Sequence, residues 1–160
     1  MRIIFSIALI SCCSFIGFAQ IKTYKGAWFD IKYPSGFTAK GSLKSASAAQ
    51  GYESAVFTSP DKLVQFYVFS PQWNGEATDI ALKPTEKISN TQSKFSGKQE
   101  TKWWTITAKD GSYSRSYQEK KNEELNVSWV LGIKYKNQAA FNRYKKNYEA
   151  FKRSLVQYAD

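Results

Sequence analysis

The sequence predicts an α+β fold: an antiparallel sheet of about six or seven strands that ends in a β-meander, with a long C-terminal helix packed on one face. Three observations predict it. Between residues 27 and 135, short runs rich in aromatic and β-branched residues alternate apolar and polar side chains with a period of two, the mark of strands. Asp110-Gly111 sits between two such runs and is a dipeptide that favours a tight hairpin turn of type I′. After residue 137 the period changes: Phe141, Tyr144, Tyr148, Phe151, Leu155 and Tyr158 recur at spacings of 3, 4, 3, 4 and 3, which is one stripe along a helix.

The first strand covers residues 27–33, with Phe29, Ile31 and Tyr33 on one face, and Pro34-Ser35-Gly36 ends it. Residues 41–50, rich in Ser and Ala and without periodicity, form a loop. Residues 52–58 make the next strand, turned by Ser59-Pro60-Asp61. Residues 63–69 are apolar on both faces, as in a central strand covered on both sides. The stretch from Pro71 to Gly97 is too long to lack structure, so it is assigned a loop at residues 71–76, a short helical turn near 79–82 and a strand over 86–94.

The Asp110-Gly111 turn sets a register in which Ala108 faces Tyr113, Ile106 faces Arg115, Trp104 faces Tyr117 and Lys102 faces Glu119. The opposite face of this hairpin carries Thr105, Thr107, Ser114 and Ser116. The next strand, residues 125–135, alternates Leu125, Val127, Trp129, Leu131, Ile133 and Tyr135. A three-residue connection at 121–123 would bring that row onto the Tyr113 and Tyr117 face, and the helix stripe would then cover it. The helix is expected over residues 138–157 with Asn137 as its N-cap.

Residues 1–19 read as a secretory signal: Arg2, an apolar run to Phe18, and small residues before Gln20. The Phe18-Ala19-Gln20 ending resembles export signals of the Bacteroidetes. Leu9-Ile10-Ser11-Cys12 resembles a lipobox that would anchor Cys12 to lipid, but the apolar run continues past the cysteine and suits cleavage after Ala19 better. No later segment is apolar for long enough to span a membrane, so a single periplasmic or secreted domain over residues 20–160 is expected.

Both cysteines, Cys12 and Cys13, fall in the leader, and the chain has no histidine. The domain is therefore expected to hold no disulfide, no thiolate or imidazole metal site, no cofactor, and no nucleophile system that depends on Cys or His. Without Arg2 the chain keeps 22 basic residues against 13 acidic ones, a charge of +9, which favours an anionic partner. Nucleic acid is not expected outside the cell.

The opening Phe29-Asp30-Ile31-Lys32-Tyr33-Pro34-Ser35-Gly36-Phe37, the antiparallel meander, and the Gly132-Ile133-Lys134-Tyr135 strand before a helix ending Phe151-Lys152-Arg153-Ser154-Leu155 together resemble the PsbP-like (Mog1/PsbP) family. The resemblance spans most of the chain after the leader. It implies an α/β/α sandwich and a binding or assembly role without shared catalytic machinery.

Arg115 is the charge the register places within the aromatic part of the apolar hairpin face, between Tyr113 and Tyr117. The three could form an anion pocket, or Arg115 could stack on Trp129 and pair with Glu149 as part of the core. Trp73, in a loop with Asn74-Gly75, and Trp103, on the hydroxyl-rich face, are the exposed aromatics that could stack on a ligand, with Trp28 expected beside Trp103. The leading expectation is a non-catalytic exported module that binds a protein or an anionic envelope component. The alternative is a glycan hydrolase or lyase built on paired carboxylates, although Asp30, Glu53, Asp61, Glu76 and Asp79 are scattered and the adjacent Glu123-Glu124 pair lies in a surface turn.

Overall fold

The computed structural model describes residues 20–158, so the expected leader over residues 1–19, with Cys12, lies outside the described residues. The elements are β1 (Ile21–Lys25), β2 (Phe29–Pro34), β3 (Thr38–Gly41), β4 (Ser54–Thr58), β5 (Val64–Phe69), a 3-10 turn (Thr78–Ile80), β6 (Glu86–Ser96), β7 (Gln99–Ala108), β8 (Ser114–Asn122), β9 (Val127–Tyr135), α1 (Gln138–Arg153) and β10 (Val156–Gln157). Seven strands form one antiparallel sheet in the order β3-β4-β5-β9-β8-β7-β6, and β1-β2-β10 form a smaller one.

The central-strand expectation holds. β5 lies between β4 and β9, and Phe66, Tyr67, Val68 and Phe69 are all buried although they alternate between faces. One face of the large sheet, the helix face, packs Phe57, Phe66, Val68, Leu131 and Ile133 against Phe29 and Ile31 of the small sheet and Tyr148 and Phe151 of α1. Aromatic edges meet across this layer, with Phe57 and Phe151 centred 5.1 Å apart at 67°. The opposite face carries Tyr67, Phe69, Ile106, Tyr117 and Val130, covered by Ala77 and Ile80 of the segment that contains the 3-10 turn. That segment, rather than a long helix, is the second covering layer, and this loop face is where Arg115 points.

Three expectations change. The hairpin register is as expected, with Ile106 opposite Arg115, Trp104 opposite Tyr117 and Lys102 opposite Glu119. Its turn is not type I′: Gly111 takes φ +74° and closes on Ala108 O at 2.9 Å, while Asp110 stays out of the left-handed region and accepts from Ser112 N–H and hydroxyl instead.

The connection to β9 is the second change. β8 continues to Asn122, paired with Val127, so the loop is residues 123–126, an even number. Tyr117 therefore faces Gly132, and Trp129, Leu131 and Ile133 point to the other face, with Ser116 and Gln118. The helix covers the Leu131–Ile133 side and not the Tyr117 side. The physical reason is space: a methyl at Gly132 would collide with the Tyr117 ring, so this glycine is the position on β9 that admits the aromatic across the ladder.

The third change is the helix end. α1 begins as expected, with Asn137 accepting from Ala140 N–H at 2.9 Å, but stops at Arg153. Ser154 donates its hydroxyl to Phe151 O at 2.7 Å and accepts from Lys32 N–H at 2.9 Å, and Val156 and Gln157 then pair with β2. Strand pairing outweighs the two remaining members of the stripe: Leu155 packs at the core edge and Tyr158 is exposed.

Candidate ligand-binding surface

On the loop face, β8 aims Arg115 into the cover. Arg115 is 5% exposed, and all five of its N–H donors have an acceptor. Nε donates to Glu86 Oε1 at 2.9 Å, Nη2 to Glu86 Oε2 at 2.5 Å and to Ala81 O at 2.9 Å, and Nη1 to Ile80 O at 2.8 Å and the Tyr117 hydroxyl at 3.0 Å. Glu86 also accepts from the Tyr113 hydroxyl at 2.6 Å and from Lys83 N–H at 2.9 Å. Burial by itself would raise the Glu86 carboxyl, but the bonds from Arg115, Tyr113 and Lys83 outweigh it and hold it down to about 2. Burial pushes the Tyr117 hydroxyl up, and the bond to Glu86 does the same to Tyr113.

The partner of Arg115 is thus Glu86, at the start of β6, and not Glu149. Trp129 lies on the other side of the sheet from Arg115, with the Lys120 ammonium 5.7 Å from its ring centre. Alongside, Asp79 accepts from the Tyr67 hydroxyl and from Ser54 Oγ, both at 2.6 Å, so the 3-10 turn is bolted to β4 and β5 as well. Arg115, Tyr113 and Tyr117 come together as expected, as a clamp between sheet and cover. Glu86 and Asp79 were missed as its anchors. The available signal for Glu86 was parity: it falls on the same side of its strand as Ile88.

On the helix face, α1 packs chiefly against β2, β5 and β9, reaches β8 at Gln118, and makes no comparable contact with β6 or β7. Trp103 stands there, 36% exposed, between Gln92 on one neighbouring strand and Gln118 on the other. Beside it run cross-strand hydroxyl pairs, Thr105 with Ser116 at 2.9 Å and Thr107 with Ser114 at 3.3 Å. Gln118 continues into a groove of about 380 Å³ at the foot of the helix, lined also by Trp129, Leu131, Glu149, Lys152 and Arg153. Trp103, Gln118 and Trp129 therefore form one strip, two indoles around an amide, rimmed by Lys120 and the last turn of α1. Trp129 was expected beside Arg115 because the parity of β9 was inverted, whereas Gln118 already fell on the hydroxyl-rich face and carried no signal of its own.

Trp73 is 49% exposed but sits elsewhere, on the segment that covers the loop face, pinned by Asn74 N–H to Asn126 O at 2.9 Å and Gly75 N–H to Ser128 Oγ at 3.3 Å. Trp28 does not join Trp103. Its indole N–H donates to Ser47 and Ser45 at 2.9 and 3.3 Å, which ties it to the loop before β4.

Among the described residues, no three His, Cys, Asp or Glu side chains gather as metal ligands. Glu149 is the one carboxylate among the residues that line the groove. Among the described residues no helix is long and apolar enough to cross a membrane.

No protein-family model matches the chain, and no curated protein matches it. Among solved structures it is similar to cyanobacterial PsbP (CyanoP) from Synechocystis, with a TM-score of 0.53 at 14% identity over 93% of this chain and 99% of that one. The fold is PsbP-like. The Ran-binding protein Mog1p of Saccharomyces cerevisiae is a further similar structure, with a TM-score of 0.45 at 8% identity over 88% of this chain and 97% of that one. At 14% identity the likeness to CyanoP is one of fold alone. The surfaces of this chain, the Trp103 strip and the Arg115 clamp, have to be judged by their own chemistry.

Proposed function

We propose that this chain is a non-catalytic binding or assembly module that works outside the cytoplasm and docks an acidic protein surface on the open strip of its helix face. The observation that carries it is the exposed Trp103 on β7, paired with Gln118 of β8 and continuing through it to Trp129 at the edge of the helix. Indoles supply flat apolar area at small cost in side-chain entropy, and amides and hydroxyls beside them can bond to a partner backbone. Lys120, Lys152 and Arg153 give the rim its charge, in keeping with the excess of basic residues in the whole chain. Arg115 has no donor to spare, so the ligand role falls to the tryptophans and the clamp serves to hold the sheet.

The test is site-specific photocrosslinking in the producing cell, with the crosslinker at Gln118. A discrete protein adduct that disappears in Trp103→Ala, with the variant still fully folded at the assay temperature, is the expected result. The absence of a discrete adduct, or an adduct indifferent to Trp103, would refute the assignment. Turnover of an acidic glycan that is lost in Glu149→Gln would replace it with the hydrolase or lyase alternative.

A further inference from the structure

At the end of the large sheet where β5 begins and β9 stops, a concavity of about 230 Å³ is bordered by Lys62, Lys134 and Lys136, together with Gln65, Ser112 and Tyr113. Among the described residues none of the three lysines has a carboxylate within ion-pair distance. The nearby acids are committed. Glu86 is held by Arg115, and Asp61 is taken up by Ser59 at 2.6 Å, Tyr144 at 2.8 Å and Arg143 at 3.1 Å. Asp110 caps its own turn through Ser112.

We infer that this concavity is a binding site for a phosphate-type oxyanion, with Lys62, Lys134 and Lys136 as its charge partners. Three cations around one pocket exceed what a single carboxylate neutralises, and a tetrahedral dianion has the charge and the acceptor oxygens to meet them. Packing places one donor, and the backbone is unusual at a second. Lys134 lies across the Tyr113 ring, its ammonium 3.8 Å from the ring centre, and Tyr113 is in turn anchored on Glu86. Lys62 takes φ +57°, a left-handed conformation normally left to glycine, at the head of the pocket. Desolvation first, then the charges of Lys83 and Arg115, push the Lys134 ammonium below the usual lysine range, and an entering anion would reverse that.

The site is independent of the Trp103 strip, because Lys134 points to the loop face and Trp103 to the helix face. It is tested by calorimetry and amide NMR titration of the purified protein with inorganic phosphate. Saturable binding is expected, with shifts confined to residues 62–65, 112–113 and 134–136. Lys134→Gln and, separately, the exposed Lys136→Gln should each weaken it about tenfold. The Lys145→Gln/Lys146→Gln pair on the helix should weaken it less than about twofold, as a control for net charge. Trp103→Ala should leave it unchanged.

Competition by vesicles containing phosphatidic acid, lost in Lys136→Gln, would identify a lipid headgroup as the source, whereas phosphate binding without vesicle binding would identify a soluble phosphate ester. Non-saturating shifts, or equal weakening by the helix control, would overturn the proposal.

Discussion

The two faces of the seven-stranded sheet are held by different physics. On the helix face the core is apolar, with Phe29, Phe57, Phe66 and Phe151 buried and the Phe57 and Phe66 rings both meeting that of Phe151. On the loop face a thin apolar patch around Tyr67, Phe69 and Ile106 is closed by ions and hydroxyls: Glu86 and Arg115, Asp79 with Tyr67 and Ser54. The difference follows from what covers each face. A helix can present a continuous aromatic stripe, while an irregular segment brings backbone carbonyls that must be bonded, and Arg115 satisfies those of Ile80 and Ala81.

The largest expected effects separate these two modes. Phe66→Ala should cost about 3–5 kcal/mol by opening a cavity that neighbouring rings cannot fill. Arg115→Met should cost about as much, by leaving Glu86 buried without its cation, yet Arg115→Met combined with Glu86→Leu should recover most of the loss because the apolar replacement asks for no pairing. Urea unfolding of the three variants checks this. Failure of the double variant to recover would show that the carbonyls of Ile80 and Ala81, rather than the charge of Glu86, are what the clamp chiefly serves.

An acid profile sharpens the same contrast. The folded Glu86 carboxyl sits at about 2 against an ordinary 4.5, so its contribution is fully present above pH 4.5 and is lost as pH falls from there toward 2. Thermal melts of the parent protein should weaken across that window, and those of the Arg115→Met/Glu86→Leu variant should weaken less. Equal slopes would mean that other carboxylates dominate acid sensitivity.

A smaller effect tests the seam between the faces. Gly132→Ala should destabilise by about 1–3 kcal/mol because the added methyl runs into the Tyr117 ring, and Tyr117→Leu in the same background should relieve part of the strain. If Gly132→Ala proves neutral, the ring is free to move and the glycine is not what sets the parity of β9. The smallest effect on stability belongs to Trp103→Ala, within about 1 kcal/mol, since Trp103 is half-covered by its strand neighbours but belongs to neither buried cluster.

Much of the architecture was legible in the chain because it is encoded locally. Alternation located the strands of the meander, Asp110-Gly111 fixed the β7–β8 register to the residue, and Asn137 marked the start of α1. β1 and β3 escaped because they are short, exposed and weakly patterned, and they exist through their pairing with β2 and β4. The exposed Trp103 and Trp73 and the cluster of Arg115 with its two tyrosines were also visible, as residue types in a register.

What the sequence by itself determined is the class of fold, the hairpin and the amphipathic helix, each of which depends on residues within a few positions of one another. The tertiary structure decided which face the helix covers, where the helix ends and which acid meets Arg115. β9 offers apolar side chains on both faces, Val130 on one and Leu131 on the other, so alternation cannot choose its parity. That choice rests on the fit of Tyr117 against Gly132 and on Glu86, twenty-nine residues from Arg115, arriving at the same end of the sheet. Contacts at such separation leave no periodic trace in the chain, because packing complementarity and the pairing of buried charge are properties of surfaces that exist after the strands have met.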